Sequence, residues 1–140
     1  MLAPFNLQNR INENRELLKP HVSNKNLYVE AGDFIVMIVG EPNARKDYHF
    51  NESEELFYQL EGEITVRIQE NGKTKDIIIK EGDMFLLPSN IPHSPMRGAN
   101  TVGFVIERGR KGTDLADGLM CFCDECNHKV PAFRFSLEII

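Results

Sequence analysis

The chain reads as a mainly β protein, an antiparallel barrel or sandwich with one short N-terminal helix. Three observations predict it: six or more short strand-like runs, tight turns between them, and no helix interrupting the series. At 140 residues it is one domain, long enough to bury a core.

The elements follow in order. Residues 6–18 (NLQNRINENRELL) place Leu7, Ile11, Leu17 and Leu18 at roughly helical spacing, and Pro20 ends the pattern. From about residue 27 the texture changes to strands. DFIVMIVG (33–40) is a continuous apolar strand stopped by Gly40 and Pro42. In the strand 55–61, Glu55, Phe57 and Gln59 share one face, while Leu56, Tyr58 and Leu60 share the other. EITVRIQ (63–69) alternates and puts Ile64, Val66 and Ile68 together. Asn71-Gly72 follows as a hairpin signal, because both central residues of a type I′ turn need positive φ. DIIIK (76–80) returns as its partner, Glu81-Gly82-Asp83 turns into MFLLP (84–88), and TVGFVIER (101–108) is a further strand. The expected division is a barrel with its helix over 1–108 and a tail over 109–140. That tail ends in FRFSLEII, apolar and without a polar cap, which reads as an element cut from its packing partner; a C-terminus shortened from its usual length is expected.

Composition excludes several classes. Apolar content of 41% with 26% charged residues is that of a folded globular chain, not a disordered one. A net charge of -5 argues against a nucleic-acid partner, and the one basic cluster, RGRK at 108–111, reads as a solvated loop. The N-terminus has no basic region followed by an apolar stretch, and the longest apolar run, Phe34 to Val39, suits a buried strand rather than a membrane span. All three cysteines lie between 121 and 126, too close together to brace a fold with disulfides. A cytoplasmic location is the expectation.

The chemistry concentrates in His49, Glu55 and His93, within DYHFNESEELFYQLEG and GDMFLLPSNIPH. Two imidazoles and one carboxylate can cap one face of an octahedral ion and leave the opposite face open, a donor set suited to non-haem Fe(II) that must take both an organic substrate and O₂. A polar NES turn separates His49 from Glu55, so the two can meet at one end of a barrel. Pro88 and Pro92 precede His93 and would present its ring from a rigid turn. Singly, each residue has an ordinary reading: a loop or core histidine, or a solvated Glu54–Glu55 edge. Together, the spacing resembles the cupin superfamily. His49, Glu55 and Gly62 fit its first motif, and Gly82, Pro88 and His93 its second. One departure is Asp47, where that first motif usually has another histidine; a hydrogen bond to a ligand is its expected role, with direct ligation the alternative.

The likeness narrows further. PNARKDYHFNESEELFYQLEG, EGDMFLLPSNIPHSPMR, VGFVIER and CDECNHK together resemble the 3-hydroxyanthranilate 3,4-dioxygenase family in its short single-cupin form, from about residue 4 to the end. The resemblance implies a cupin fold, a double-stranded antiparallel β-helix or jelly-roll barrel. It implies Fe(II) on His49, Glu55 and His93, with the aromatic substrate bound through its adjacent phenol oxygen and amine. Arg45 and Arg97 would meet the ring carboxylate, and Glu107 would sit near the amine and hydroxyl as the catalytic group. Physics fits these roles: a planar guanidinium matches a carboxylate, and a carboxylate ending the apolar run VGFVI would have a raised pKa. The plain alternative makes Arg45 and Arg97 surface charges and pairs Glu107 with Arg108 or Lys111.

The implied reaction is extradiol-type ring opening with both atoms of O₂ inserted. Its product is 2-amino-3-carboxymuconate semialdehyde, precursor of quinolinate on the kynurenine route to NAD. A homodimer is implied by the family alone. Cys123-x-x-Cys126 is half of a tetrathiolate site that could hold a second, structural Fe or Zn; Cys121 and His128 lie near enough in sequence to be considered as further donors, and the alternative is reduced, exposed thiols. Two other functions keep the triad: a different metal-cupin dioxygenase or isomerase, which would not need both arginines, and a non-catalytic metal-binding cupin.

Overall fold

The structure, a computed structural model, describes residues 3–18, 24–30, 32–40, 46–110, 112–113 and 115–130, with the backbone alone for 133–135. Helix α1 spans Leu7–Glu13, and a 3-10 turn follows over Arg15–Leu18. The strands are β1 (Asn24–Asn26), β2 (Phe34–Gly40), β3 (Tyr48–Asn51), β4 (Glu55–Glu61), β5 (Ile64–Glu70), β6 (Lys73–Ile79), β7 (Met84–Leu87), β8 (His93–Arg97), β9 (Val102–Arg108), β10 (Asp117–Met120) and β11 (Phe133–Phe135). They form two antiparallel sheets, β1-β2-β9-β4-β7 and β11-β10-β3-β8-β5-β6.

The helix is shorter than the run 6–18 suggested. Asn6 caps its start, with the side chain accepting from the Asn9 N–H at 2.9 Å. Asn14 ends it: its side-chain amide donates to the Arg10 carbonyl at 2.7 Å, and the chain tightens into the 3-10 turn. The Asn71-Gly72 hairpin forms as expected, with φ of 54° and 74°, and joins β5 to β6 over seven paired residues.

Strand alternation builds two apolar layers. Inside the barrel, Phe57, Ile64, Val66, Ile68, Ile79, Leu87 and Val105 pack together. Outside the five-stranded sheet, Ile11 and Leu18 lie on Ile38 and Val102. The helix and turn therefore cover one end of that outer face. The other end shows Phe34, Met84 and Leu86 to solvent.

Two local readings are corrected. His93 does not project from a turn; it opens β8. Pro92 and Pro95 disguised a strand, because prolines are rare within ladders. Pro95 is tolerated here because β8 pairs with β5 along its length but with β3 only at His93. Nor is the 108–111 stretch wholly solvated, since Arg110 is only 5% exposed. The region after 109 also joins the barrel's sheet: β10 pairs with β3 at four positions and with β11 on its other side.

No helix among the described residues is long and apolar enough to cross a membrane. Ile38 is fully buried between the helix and the five-stranded sheet, so Ile38→Ala should lower unfolding stability by about 2–5 kcal/mol, read as an earlier urea midpoint at constant slope.

Candidate functional site

Antiparallel register brings the candidate residues to one end of the barrel interior. His49 on β3 lies directly opposite His93 on β8, and Glu55 on β4 lies opposite Glu107 on β9. His93 also faces Ile68 of β5 across the ladder. The imidazole rings of His49 and His93 are 6.0 Å apart between centroids. His93 Nε2 stands 3.1 Å from Glu55 Oε2.

The tautomer of His93 follows from its other contact. Nδ1 lies 3.0 Å from the Ile91 carbonyl, which can only accept, so Nδ1 carries the hydrogen. Nε2 is then the atom that meets Glu55. A nitrogen lone pair facing a carboxylate oxygen calls for a cation between them, a proton or a metal ion. With a proton there, the pair shifts the titration of His93. Burial is the largest effect and pulls its pKa down, but the hydrogen bond and charge of Glu55 outweigh it, and the net direction is upward.

Around this pair sits a buried polar cluster. Asn51 Nδ2 donates to Glu55 Oε2 at 2.9 Å and reaches Glu107 Oε2 at 3.4 Å. Arg110 Nη1 is also 3.4 Å from Glu107 Oε2, and its Nε donates to Asp117 Oδ2 at 2.6 Å. Glu55, Glu107 and Asp117 are all buried, as is Arg110, so carboxylates outnumber the guanidinium at this end. Burial foremost, then the charge of Glu55, pushes the Glu107 carboxyl up to about 7. A divalent cation is what such a set of donors would accommodate: it would take the lone pair of Nε2 and offset the excess charge. The donors fit an iron site of the kind expected. Among the described residues, however, no three His, Cys, Asp or Glu side chains close into a ligand set, and the His93–Glu55 pair is the preformed part.

Arg97 lies deeper on β8, on the same inward face as His93. It is 5% exposed, and its Nη1 is buried without a hydrogen-bond partner. Burial lowers its pKa to about 10, partly countered by the charge of Glu55. The guanidinium rests on Gly103 of β9, where a Cβ would come within 2.6 Å of Nη1. An unpaired cationic donor in a barrel interior is a place for an anion. Arg45 lies outside the described residues.

The cysteines stand elsewhere. A turn over 124–126 is closed by the Cys123 N–H donating to the His128 carbonyl at 2.9 Å, and the Asn127 N–H to the Cys123 carbonyl at 2.8 Å. Backbone N–H groups of Cys126 and then Glu125 hold the Cys123 thiol below its ordinary pKa. Cys121, Cys123 and Cys126 carry free thiols. This turn borders a cavity of about 340 Å³ that also meets Lys46, Tyr48 and Arg67. A second cavity, about 470 Å³, follows the outer face and is lined by Phe34, Leu56, Ile106 and Glu107 among others. Neither cavity is lined by His49, His93 or Arg97; the donor chemistry, not cavity size, marks the site.

The sequence reading did not single out Asn51, Arg110 or Asp117. Asn51 was the findable one, two residues beyond His49 on the same strand, where period two returns to the same face.

Known proteins show the same affinity. The family model of 3-hydroxyanthranilic acid dioxygenase matches residues 1–140. The 3-hydroxyanthranilate 3,4-dioxygenase of Xanthomonas campestris pv. campestris (strain B100) is 47% identical over 140 residues, covering 100% of this chain and 78% of that relative. The enzyme of the same name from Bacillus thuringiensis (strain Al Hakam) is 50% identical over 140 residues, covering 99% and 77%. In structure, the chain resembles a cupin-2 domain protein from Shewanella frigidimarina, with TM-score 0.56, 20% identity and coverage of 74% and 99%. Protein NMB1881 from Neisseria meningitidis matches with TM-score 0.52, 19% identity and coverage of 76% and 98%. These structural likenesses show the fold, which is a cupin as expected.

Glu107 yields a pH prediction for protein stripped of metal with a chelator. Its folded pKa, about 7, lies above the ordinary 4.5, so the folded state holds the proton more tightly. That contribution is complete below about 4.5 and is lost as pH rises through about 7. The raised His93 acts in the same direction above its ordinary 6.5. Chelated protein should therefore show a falling urea midpoint from pH 5 to 8, and Glu107→Gln should flatten part of that slope.

Proposed function

The chain belongs to the 3-hydroxyanthranilic acid dioxygenase family, and from that membership we propose that His49, Glu55 and His93 hold the iron of its ring-opening site. Its activity is that of a 3-hydroxyanthranilate 3,4-dioxygenase, and enzymes of the family are non-haem iron dioxygenases. The observation that carries the assignment is the 3.1 Å approach of His93 Nε2 to Glu55 Oε2, with Nδ1 already committed to Ile91. The second nitrogen's carbonyl bond fixes ring orientation, as it does for histidines that ligate metals.

A ferrous ion held by His49, Glu55 and His93 would supply Lewis acidity toward the substrate's phenol oxygen and amine and a site for O₂. The chain's own residues do the rest. Arg97, with its unpaired Nη1, receives the ring carboxylate, and Arg45 is assigned the second arm of that clamp by the family resemblance. Arg97 lies four residue steps beyond His93 on β8, about 13 Å along the strand at about 3.3 Å per residue. A flat aromatic ring between them is thus oriented by a charge at one edge and by donors at the other. Glu107, with a carboxyl poised near neutrality, is the group to take or hold the substrate's hydroxyl or amine proton. Phe57, Val66 and Val105 keep the interior dry, which strengthens each of these contacts. The ring-opened product is 2-amino-3-carboxymuconate semialdehyde, which leads to quinolinate and NAD.

Residues 1–108 are taken as the barrel with its helix, to which β10 of the tail adds, and Cys123 and Cys126 in the tail as half of a second Fe or Zn site. Support for the latter is the N–H-lined turn at Cys123, the kind of backbone that stabilises a thiolate. A cytoplasmic homodimer completes the picture. The uncovered end of the outer face, with Phe34, Met84 and Leu86, is the apolar surface a second copy would bury.

Anaerobic Fe(II) reconstitution followed by 3-hydroxyanthranilate in air should give oxygen uptake and a new ring-opened chromophore. His49→Ala and His93→Ala should lose iron by metal analysis; full retention in both would overturn the ligand assignment. Arg97→Ala should keep iron while KM rises, by about a hundredfold for the loss of a charged hydrogen bond of about 3 kcal/mol. Gly103→Ala, whose added methyl displaces the same guanidinium, should raise KM in the same direction with iron content unchanged.

A further inference from the structure

Arg110 is an oddity in the charge distribution. It follows the end of β9, in the basic run 108–111, yet its side chain is 2% exposed. A buried guanidinium is costly unless its donors are used, and three contacts use them here. Nε donates to Asp117 Oδ2 at 2.6 Å, Nη1 donates to the Arg108 carbonyl at 2.8 Å, and Nη1 lies 3.4 Å from Glu107 Oε2.

The backbone is shaped to put it there. The Gly109 N–H donates to the Asp33 carbonyl at 2.8 Å, and a Cβ at Gly109 would fall 2.6 Å from the Gly32 carbonyl. Only a glycine lets the chain pass that close to the start of β2. Thr113 then donates to the Arg110 carbonyl through its N–H at 3.1 Å and its hydroxyl at 2.7 Å. Arg110 is held at its backbone and through Nε and Nη1 of its guanidinium.

The contacts close a circuit. Asp117, which anchors Arg110, is the register partner of Asn51. Asn51 donates to Glu55 Oε2 at 2.9 Å and reaches Glu107 Oε2 at 3.4 Å. Both donors to Glu107 therefore approach the same oxygen. Oε1 takes no part in this frame. Two donors at 3.4 Å anchor one oxygen of the carboxylate, and its second oxygen is left for another partner.

We propose that Arg110, anchored by Asp117, is a positioning residue of the ring-opening site, fixing Glu107 by Oε2 so that Oε1 serves the substrate. This rests on the reading that Glu107 meets the substrate. Arg110 itself touches neither substrate nor iron; it acts through Glu107 alone.

The test is a double-mutant cycle on iron-reconstituted protein, with kcat, KM and iron content measured for each variant. Arg110→Met combined with Asp117→Leu removes the pair without leaving one charge buried alone. That replacement should lower kcat by about tenfold or more, the loss expected when one oriented hydrogen bond is removed, with iron content and KM near wild type. On a Glu107→Gln background the same replacement should change kcat by less than about twofold, because residues acting as a unit are not additive. Multiplied losses on that background would overturn the proposal, as would unchanged kcat in the presence of an impaired Glu107→Gln. A Glu107→Gln variant with normal kinetics would instead sink the role of Glu107, and the proposal with it. Should the paired replacement fail to fold, Arg110→Lys in both backgrounds carries the same cycle: a fall in kcat only where Glu107 is present supports the proposal, and equal falls in both refute it.

Discussion

The constraint on which the rest of this molecule turns is the face-to-face burial of Glu55 and Glu107 on adjacent strands. Two carboxylates opposite one another in a ladder repel, and burial raises the cost of ionising either. Such an arrangement persists only if neighbours supply positive charge and donors. His93, Asn51 and Arg110 do so from three different segments, so the cluster ties β3, β4, β8, β9 and the start of β10 to one another. The functional end of the barrel is where the fold spends stability, while Phe57, Val105 and their neighbours below supply it.

This division of labour explains why the sequence yielded the barrel readily. An alternating pattern is local, and positions such as Ile64, Val66 and Ile68 declare the inner face within seven residues. The Asn71-Gly72 turn needs only its own two φ angles. His49, Glu55 and His93 were legible because their spacing follows from the same strand geometry and matches a known motif. Arg110 and Asp117 were not, since what makes them matter is a contact between segments seven residues apart that share no regular element. Read from its neighbours alone, Arg110 sits in a basic run and belongs in solvent. Its burial is decided by Gly109 slipping past Gly32, a tertiary fact. His93 was placed in a turn for a related reason: Pro88 and Pro92 before it speak for a turn locally, and the pairing of β8 with β5 overrides them.

Arg97 shows the opposite balance from Arg110. Both are buried guanidiniums, but Arg110 has its donors used, whereas Arg97 keeps Nη1 without a partner. A buried unmet donor destabilises the protein alone and strengthens the binding of whatever satisfies it. The contrast separates a residue that organises the site from one that waits for a ligand. Gly103 belongs to the second role, because its missing side chain is the space the Arg97 guanidinium occupies.

The tail acquires a meaning from the same geometry. β3, which carries His49, meets β8 at one residue pair but meets β10 at four, with Leu119 opposite His49. β3 is thus paired with the tail strand at more residues than with the barrel strand bearing His93. Beyond β10, Phe122 packs edge-on against Tyr48 at 5.0 Å, next to His49 in sequence. Asn127 exchanges paired hydrogen bonds with Gln69 of β5, at 2.7 and 2.9 Å. Gln69 in turn donates to the Tyr48 hydroxyl at 3.1 Å. The cysteine turn is fastened by these contacts to the outer side of the strand whose inner side bears the candidate ligand. Phe122 and Asn127 thus join the cysteine turn to Tyr48 and Gln69, one residue from His49 in sequence and one from Ile68, the register partner of His93.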